Sequence, residues 1–259
     1  MNALKHAALA GVAALALAAP AAAQSDFEWR GQMAAGQSIE IKGINGSVRA
    51  VAATGNEVEV TATRSARRSN PADVRFEVVP HAGGVTVCAV YPSPQGRPAN
   101  ECKPGSGGRM QTNNNDTSVN FTVRVPTGIG FVGRTVNGEV DAESLQGNVE
   151  GHSVNGSIRL VTTGVALATT VNGSINATMG RADWTGEASF KTVNGEITLK
   201  LPAAANTELN AQLVNGRIKS DLPVTVSGQV EPRRLQGTIG TGGRQLAIST
   251  VNGSISLLK

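Results

Sequence analysis

The sequence predicts an all-β chain wound as a parallel β-helix, and three observations carry that prediction. The composition is rich in Gly and poor in aromatics, with 31 Gly against 5 Phe, 2 Trp and 1 Tyr in 259 residues. A box of the form aliphatic-Asn-Gly-x-aliphatic recurs through the second half. Between the boxes, apolar and polar residues alternate with the period of two expected for strands with one buried face. Apolar residues at 40% and charged residues at 16% exclude a disordered chain, and Gly without a three-residue period excludes a collagen. A net charge of +4, scattered along the chain, gives no footprint for nucleic acid.

The first element is an address. Lys5 and His6 precede an apolar run from Ala7 to Ala19, Pro20 breaks it, and Ala21-Ala22-Ala23 offers the small residues a signal peptidase requires. Residues 1–23 are therefore expected to be a secretory signal peptide. The run falls short of the ~20 residues that span a bilayer. The expected location is outside the cytoplasm: periplasmic, cell-surface or secreted. In such a compartment the two cysteines, Cys88 and Cys102, are expected to form a disulfide around a Pro-rich loop. A reactive thiol or a soft-metal site is the weaker reading, because only His81 lies nearby in sequence.

Residues 24–132 form an irregular N-terminal β region carrying the disulfide loop. Ile39 and Ile41, Val58 and Val60, Val85 and Val87, and Val119 through Val125 alternate with polar neighbours, and Gly83-Gly84 reads as a turn. Residues 92–116 read as a long mobile excursion. Residues 133–259 form the regular repeats. Because Ile44-Asn45-Gly46 already carries the box, residues 38–132 are expected to be continuous with them.

The boxes place Asn at Asn45, Asn137, Asn155, Asn172, Asn194, Asn215 and Asn252, with Gln236 as a variant. Each is followed by glycine: Gly46, Gly138, Gly156, Gly173, Gly195, Gly216, Gly237 and Gly253. From Asn137 the intervals are 18, 17, 22, 21, 21 and 16 residues, a coil of about 20. Weaker Gly-centred corners, such as Leu145-Gln146-Gly147 and Ser227-Gly228-Gln229-Val230, fall about halfway between.

Asn-Gly is also the strongest hairpin signal. A hairpin at Asn194-Gly195, however, puts Val193 and Glu196 on one face and Ile197 on the other, and repetition of that mismatch argues against a half-buried antiparallel sheet. A β-helix corner instead lets aliphatic residues on both sides of the bend point inward. Equivalent Asn side chains then stack as an amide ladder, with Gly supplying a conformation that a Cβ penalises. An antiparallel meander or barrel is the alternative.

The opening Lys42-Gly43-Ile44-Asn45-Gly46, the segment Phe121-Thr122-Val123-Arg124-Val125-Pro126-Thr127-Gly128 and the Thr-Val-Asn-Gly boxes resemble the DUF4097-type putative adhesin family and the related Gly-Ile-Asn head domains. The resemblance covers residues 38–259. It implies a single-stranded right-handed β-helix in an exported bacterial protein, and it transfers no catalytic residue.

No catalytic, cofactor-binding or metal-binding residue is assigned from the sequence. The 13 Glu and 6 Asp do not recur at one strand position, and His81 and His152 lie near no nucleophile motif. The expectation is a non-catalytic exported solenoid, an adhesin or cell-envelope interaction protein. A periplasmic polysaccharide-active enzyme and an envelope-stress accessory protein are the alternatives. The expected partners are a cell-surface glycan, an envelope protein or a second copy meeting a solenoid end, and no nucleic acid.

Overall fold

The computed structural model describes residues 26–226 and 231–259. The expected signal peptide and the corner at Ser227-Gly228-Gln229-Val230 lie outside the described residues. Among those described, no helix is long and apolar enough to cross a membrane.

The alternating runs form β1 (Phe27–Gln32), β2 (Ser38–Lys42), β3 (Val48–Ala52), β4 (Glu57–Ser65), β5 (Arg75–His81), β6 (Gly84–Val90) and β7 (Ser118–Val125). The repeats follow as pairs: β8 (Gly130–Arg134) and β9 (Val140–Leu145), β10 (Val149–His152) and β11 (Ile158–Thr162), β12 (Ala166–Thr169) and β13 (Ile175–Met179), β14 (Glu187–Lys191) and β15 (Ile197–Lys200). The chain continues through β16 (Thr207–Asn215), β17 (Ile218–Ser220), β18 (Val224–Val226), β19 (Arg234–Ile239), β20 (Arg244–Asn252) and β21 (Ile255–Leu258).

These strands make two open sheets, ordered β1-β4-β7-β3-β9-β11-β13-β15-β21-β17 and β18-β19-β16-β20-β14-β12-β10-β8-β2-β6-β5. Each Asn-Gly box is the corner at which the chain passes from the second sheet to the first, so one rung gives one strand to each. Neighbouring rungs pair in parallel. Ile158, Ile175, Ile197 and Ile255 fall in register and are all buried. Small residues of one sheet face branched residues of the other: a Cβ built on Gly151 would lie 2.7 Å from Ile158 Cγ2. The interior between the sheets is thus filled to the methyl group. Antiparallel pairing occurs at the ends, where β4 joins β1 to β7, β5 covers β6, and β19 lies between β16 and β18. These strands cover parallel edges that would otherwise be open.

One finding and one correction belong here. Stack order is not sequence order: β20 pairs with β14 on one side and β16 on the other, and β21 lies between β15 and β17. The C-terminal rung is inserted one place before the end. Gln236 is not a ladder residue, and Gly237 is not a corner. Both sit inside β19, with Gln236 opposite Asn210 of β16 and Gly237 between Leu209 of β16 and Val226 of β18. Antiparallel backbone pairing holds this segment straight, so no bend forms.

Candidate functional site

The corners line up along one edge of the stack. Asn137 Nδ2 donates to Asn45 Oδ1 at 2.9 Å, and Asn155 donates to Asn137, Asn172 to Asn155 and Asn194 to Asn172, each at 2.8 Å. Asn252 then donates to Asn194, and Asn215 to Asn252, each at 2.8 Å. Every amide donates in the same direction, which an Asn can do because it carries both a donor and an acceptor.

The corner glycines have a different cause from the one expected. Among them only Gly46, Gly216 and Gly253 have positive φ. What the others share is a close approach. A Cβ on Gly156, Gly173 or Gly195 would lie 1.9–2.2 Å from the carbonyl oxygen of the glycine one rung below. Stacked backbones, rather than a left-handed bend, exclude a side chain there.

The residue before Asn is also corrected, because it does not point inward. Val154, Val171, Val193, Val251 and Val214 are all exposed. The inward position belongs to the residue before the valine. Thr135, Ser153, Thr170, Thr192 and Thr250 are buried, and their hydroxyls donate to the carbonyls of Gly46, Gly138, Gly156, Gly173 and Gly195 at 2.9–3.0 Å. This second ladder was not assigned from the sequence, although its signal was present as a hydroxyl residue two places before Asn in five boxes.

One rung has its corner replaced. β6 pairs with β2 and β7 with β3, yet between Val90 and Ser118 the chain makes the excursion instead of a box. Tyr91 fills the corner: its buried hydroxyl donates to Thr117 O at 2.8 Å and accepts from Asn45 N at 3.3 Å. Burial pushes its pKa up to about 12, partly opposed by the Asn45 backbone hydrogen bond. Cys88 and Cys102 are joined, with Cα atoms 5.8 Å apart. Lys42 Nζ reaches the carbonyls of Lys103, Gly105 and Gly107 at 2.8–2.9 Å, and Glu40 Oε2 accepts from Gly105 N at 2.9 Å. The excursion is therefore fixed to the outer face of the second sheet at several points. Desolvation by burial lowers the Lys42 pKa, with Glu40 acting the other way.

That outer face also carries a row of paired ionisable residues. Arg134 Nε donates to Glu40 at 2.7 Å, Arg134 also reaches Glu150 at 3.3 Å, and His152 Nε2 contacts the same Glu150 oxygen. His152, on β10, is thus engaged with a carboxylate. Beside this row, a cleft of about 350 Å³ is bounded by Val132, Glu150, Leu167, Arg181, Asp183 and Trp184, among others. Trp184 is buried and donates to Gln245 O at 2.9 Å, so it forms wall rather than an exposed platform. The His152 hydrogen bond holds Glu150 below the usual carboxylate range, and the Arg181 hydrogen bond does the same for Asp183. Among the described residues, no group of three or more His, Cys, Asp or Glu is placed to hold a metal ion.

The family model DUF4097, described as Toastrack DUF4097, matches residues 110–258, more than half of the chain. No curated protein matches. A solved structure described as a putative cell adhesion protein from Clostridium sporogenes ATCC 15579 aligns with a TM-score of 0.48 and 10% identity, over 89% of this chain and 98% of that one. Another, described as a putative adhesin from Bacteroides fragilis NCTC 9343, aligns with a TM-score of 0.37 and 16% identity, over 90% of this chain and 96% of that one.

Proposed function

Because the chain belongs to the DUF4097 family, we propose that it is an exported, non-catalytic β-solenoid that makes adhesive or cell-envelope contacts. The observation that supports this most is that the cleft carboxylates are already paired, Glu150 with Arg134 and His152 and Asp183 with Arg181. A glycoside-cleaving pair needs one carboxyl with a raised pKa to act as acid. Glu150 and Asp183 are both shifted down, each by a basic neighbour, and are suited to accepting hydrogen bonds from a ligand rather than to delivering a proton. The disulfide supports a location outside the reducing cytoplasm, in the periplasm or at the cell surface.

The test is incubation of the pure protein with a broad panel of envelope glycans and envelope protein extracts. Saturable binding without turnover is expected. New reducing or unsaturated sugar ends would contradict the proposal.

A further inference from the structure

The Asn ladder has two unlike ends. At the first it is closed: Asn45 Nδ2 reaches the carbonyls of Asn115 and Thr117 at 3.4 Å each, and β7, β4 and β1 continue the sheet beyond β3. At the other end β17 is the last strand of its sheet. Asn215 Nδ2 donates to Asn252 Oδ1, but among the described residues nothing donates to Asn215 Oδ1. The backbone repeats the difference. In six boxes the glycine N–H donates to the Asn carbonyl of the next rung at 2.9–3.0 Å: Gly46 to Asn137, Gly138 to Asn155, Gly156 to Asn172, Gly173 to Asn194, Gly195 to Asn252 and Gly253 to Asn215. Gly216 N has no such acceptor among the described residues, because no rung follows β16 and β17. Gly216 is exposed, whereas the glycines of the other six boxes are half-buried.

We infer that Asn215 is the first of the seven Asn-Gly pairs to deamidate in the folded chain, and that stacking protects the other six. Glycine after Asn suits this chemistry, since no side chain hinders the approach of its nitrogen to the amide carbon. The Gly216 nitrogen loses its proton to hydroxide and attacks Asn215 Cγ. The new N–Cγ bond closes a succinimide ring, while the Cγ–Nδ2 bond breaks and Nδ2 leaves as ammonia with a proton taken from water. Water then opens the ring at either carbonyl, leaving an aspartyl or isoaspartyl linkage at position 215. The sum is amide plus water to carboxylate plus ammonium, with no change of oxidation state. The step needs a near-attack geometry, reached by rotation of the Asn side chain and backbone. In the six inner boxes that rotation breaks both the glycine bond to the next rung and the ladder bond arriving at Oδ1. Asn215 carries neither among the described residues, and only its own bond to Asn252 opposes the movement. The product has a consequence for the stack. A carboxylate at 215 sets acceptor against the Oδ1 acceptor of Asn252, so the last corner loses its side-chain tie.

The test ages the full chain in mildly alkaline buffer, with a parallel sample in urea. Digestion and mass spectrometry then read amide-to-acid conversion at each Asn-Gly pair. In the folded chain position 215 should convert at least about tenfold faster than any other pair, because the others react only after local opening. In urea that preference should vanish. The aged folded chain should also lose amide-exchange protection at β17 (Ile218–Ser220) before β13 (Ile175–Met179). Equal conversion of the seven pairs in the folded chain, faster conversion of an inner pair, or a preference for 215 that persists in urea would overturn the inference. So would a folded chain intact at 215 while the urea sample converts there.

Discussion

Asn252 donates its side-chain amide to Asn194 at 2.8 Å across 58 positions of sequence, while the amide of Asn215, only 21 positions beyond Asn194, bonds to Asn252 instead. The last box of the chain therefore separates two boxes that are neighbours in sequence. Among the described residues, the rung of β16 and β17 pairs with the other rungs only through β20 and β21.

Deletion of residues 244–259 should accordingly cost more than one rung. It leaves β14 and β15 with open edges and strands β16 and β17 without a parallel partner. The expected result is loss of amide-exchange protection across residues 207–239 as well as a lower Tm. A truncated chain in which 207–239 stays protected would show that this segment packs without the C-terminal rung.

Gly195→Ala and Gly55→Ala separate close approach from loop flexibility. A Cβ at Gly195 meets Gly173 O at 2.0 Å, whereas one at Gly55 meets nothing within 4 Å. The first should destabilise by more than about 2 kcal/mol through overpacking against backbone, and the second should stay within about 1 kcal/mol of the parent. Equal melting of the two variants would contradict the stacked-backbone account.

Thr192→Val keeps the shape of the side chain and removes the donor to Gly173 O. A loss of about 1 kcal/mol is expected from chemical denaturation, with a smaller loss for Thr192→Ser, which retains the hydroxyl as Ser153 does at the equivalent corner. A Ser variant as damaged as the Val variant would assign the effect to the methyl group.

The chain has one tyrosine, so its ultraviolet titration reads Tyr91 alone. The midpoint should lie at about 12 in the folded protein. Because burial raises this pKa, the neutral phenol is the form the fold favours. Its contribution to stability is full below the ordinary tyrosine value of about 10 and is lost as pH rises from there through 12. A midpoint near 10 with the fold intact would place the hydroxyl in solvent. Tyr91→Phe should also destabilise, by about 1–2 kcal/mol, since it removes the hydrogen bonds that the buried phenol makes to Thr117 O and from Asn45 N.

The repeat was legible because Asn-Gly is rare enough, and its spacing regular enough, to mark a corner in each rung. Its inner chemistry was less so. Asn155 bonds as the pattern implied, but Val154 beside it faces outward, because the buried place is taken by the Ser153 hydroxyl, which can pair with a carbonyl. Apolarity alone could not rank the two. Gln236 has the right neighbours in sequence but lies inside β19, paired antiparallel with β16, a context set by tertiary pairing. The position of Asn252 was invisible for a related reason: near-identical boxes can stack in any order, so spacing does not encode sequence of assembly. The cleft beside Glu150 left no signal because each successive rung gives it only one to three residues, with a loop at 181–185 completing the wall.

The ladder itself is tested most directly by hydrogen exchange of the Asn side-chain amides, followed by nuclear magnetic resonance. Asn155, Asn172, Asn194 and Asn252 should each show one slowly exchanging Nδ2 proton, the one held by the next Oδ1, and one fast proton facing solvent. Two equally fast protons at Asn172 and Asn194 in the folded protein would contradict the account.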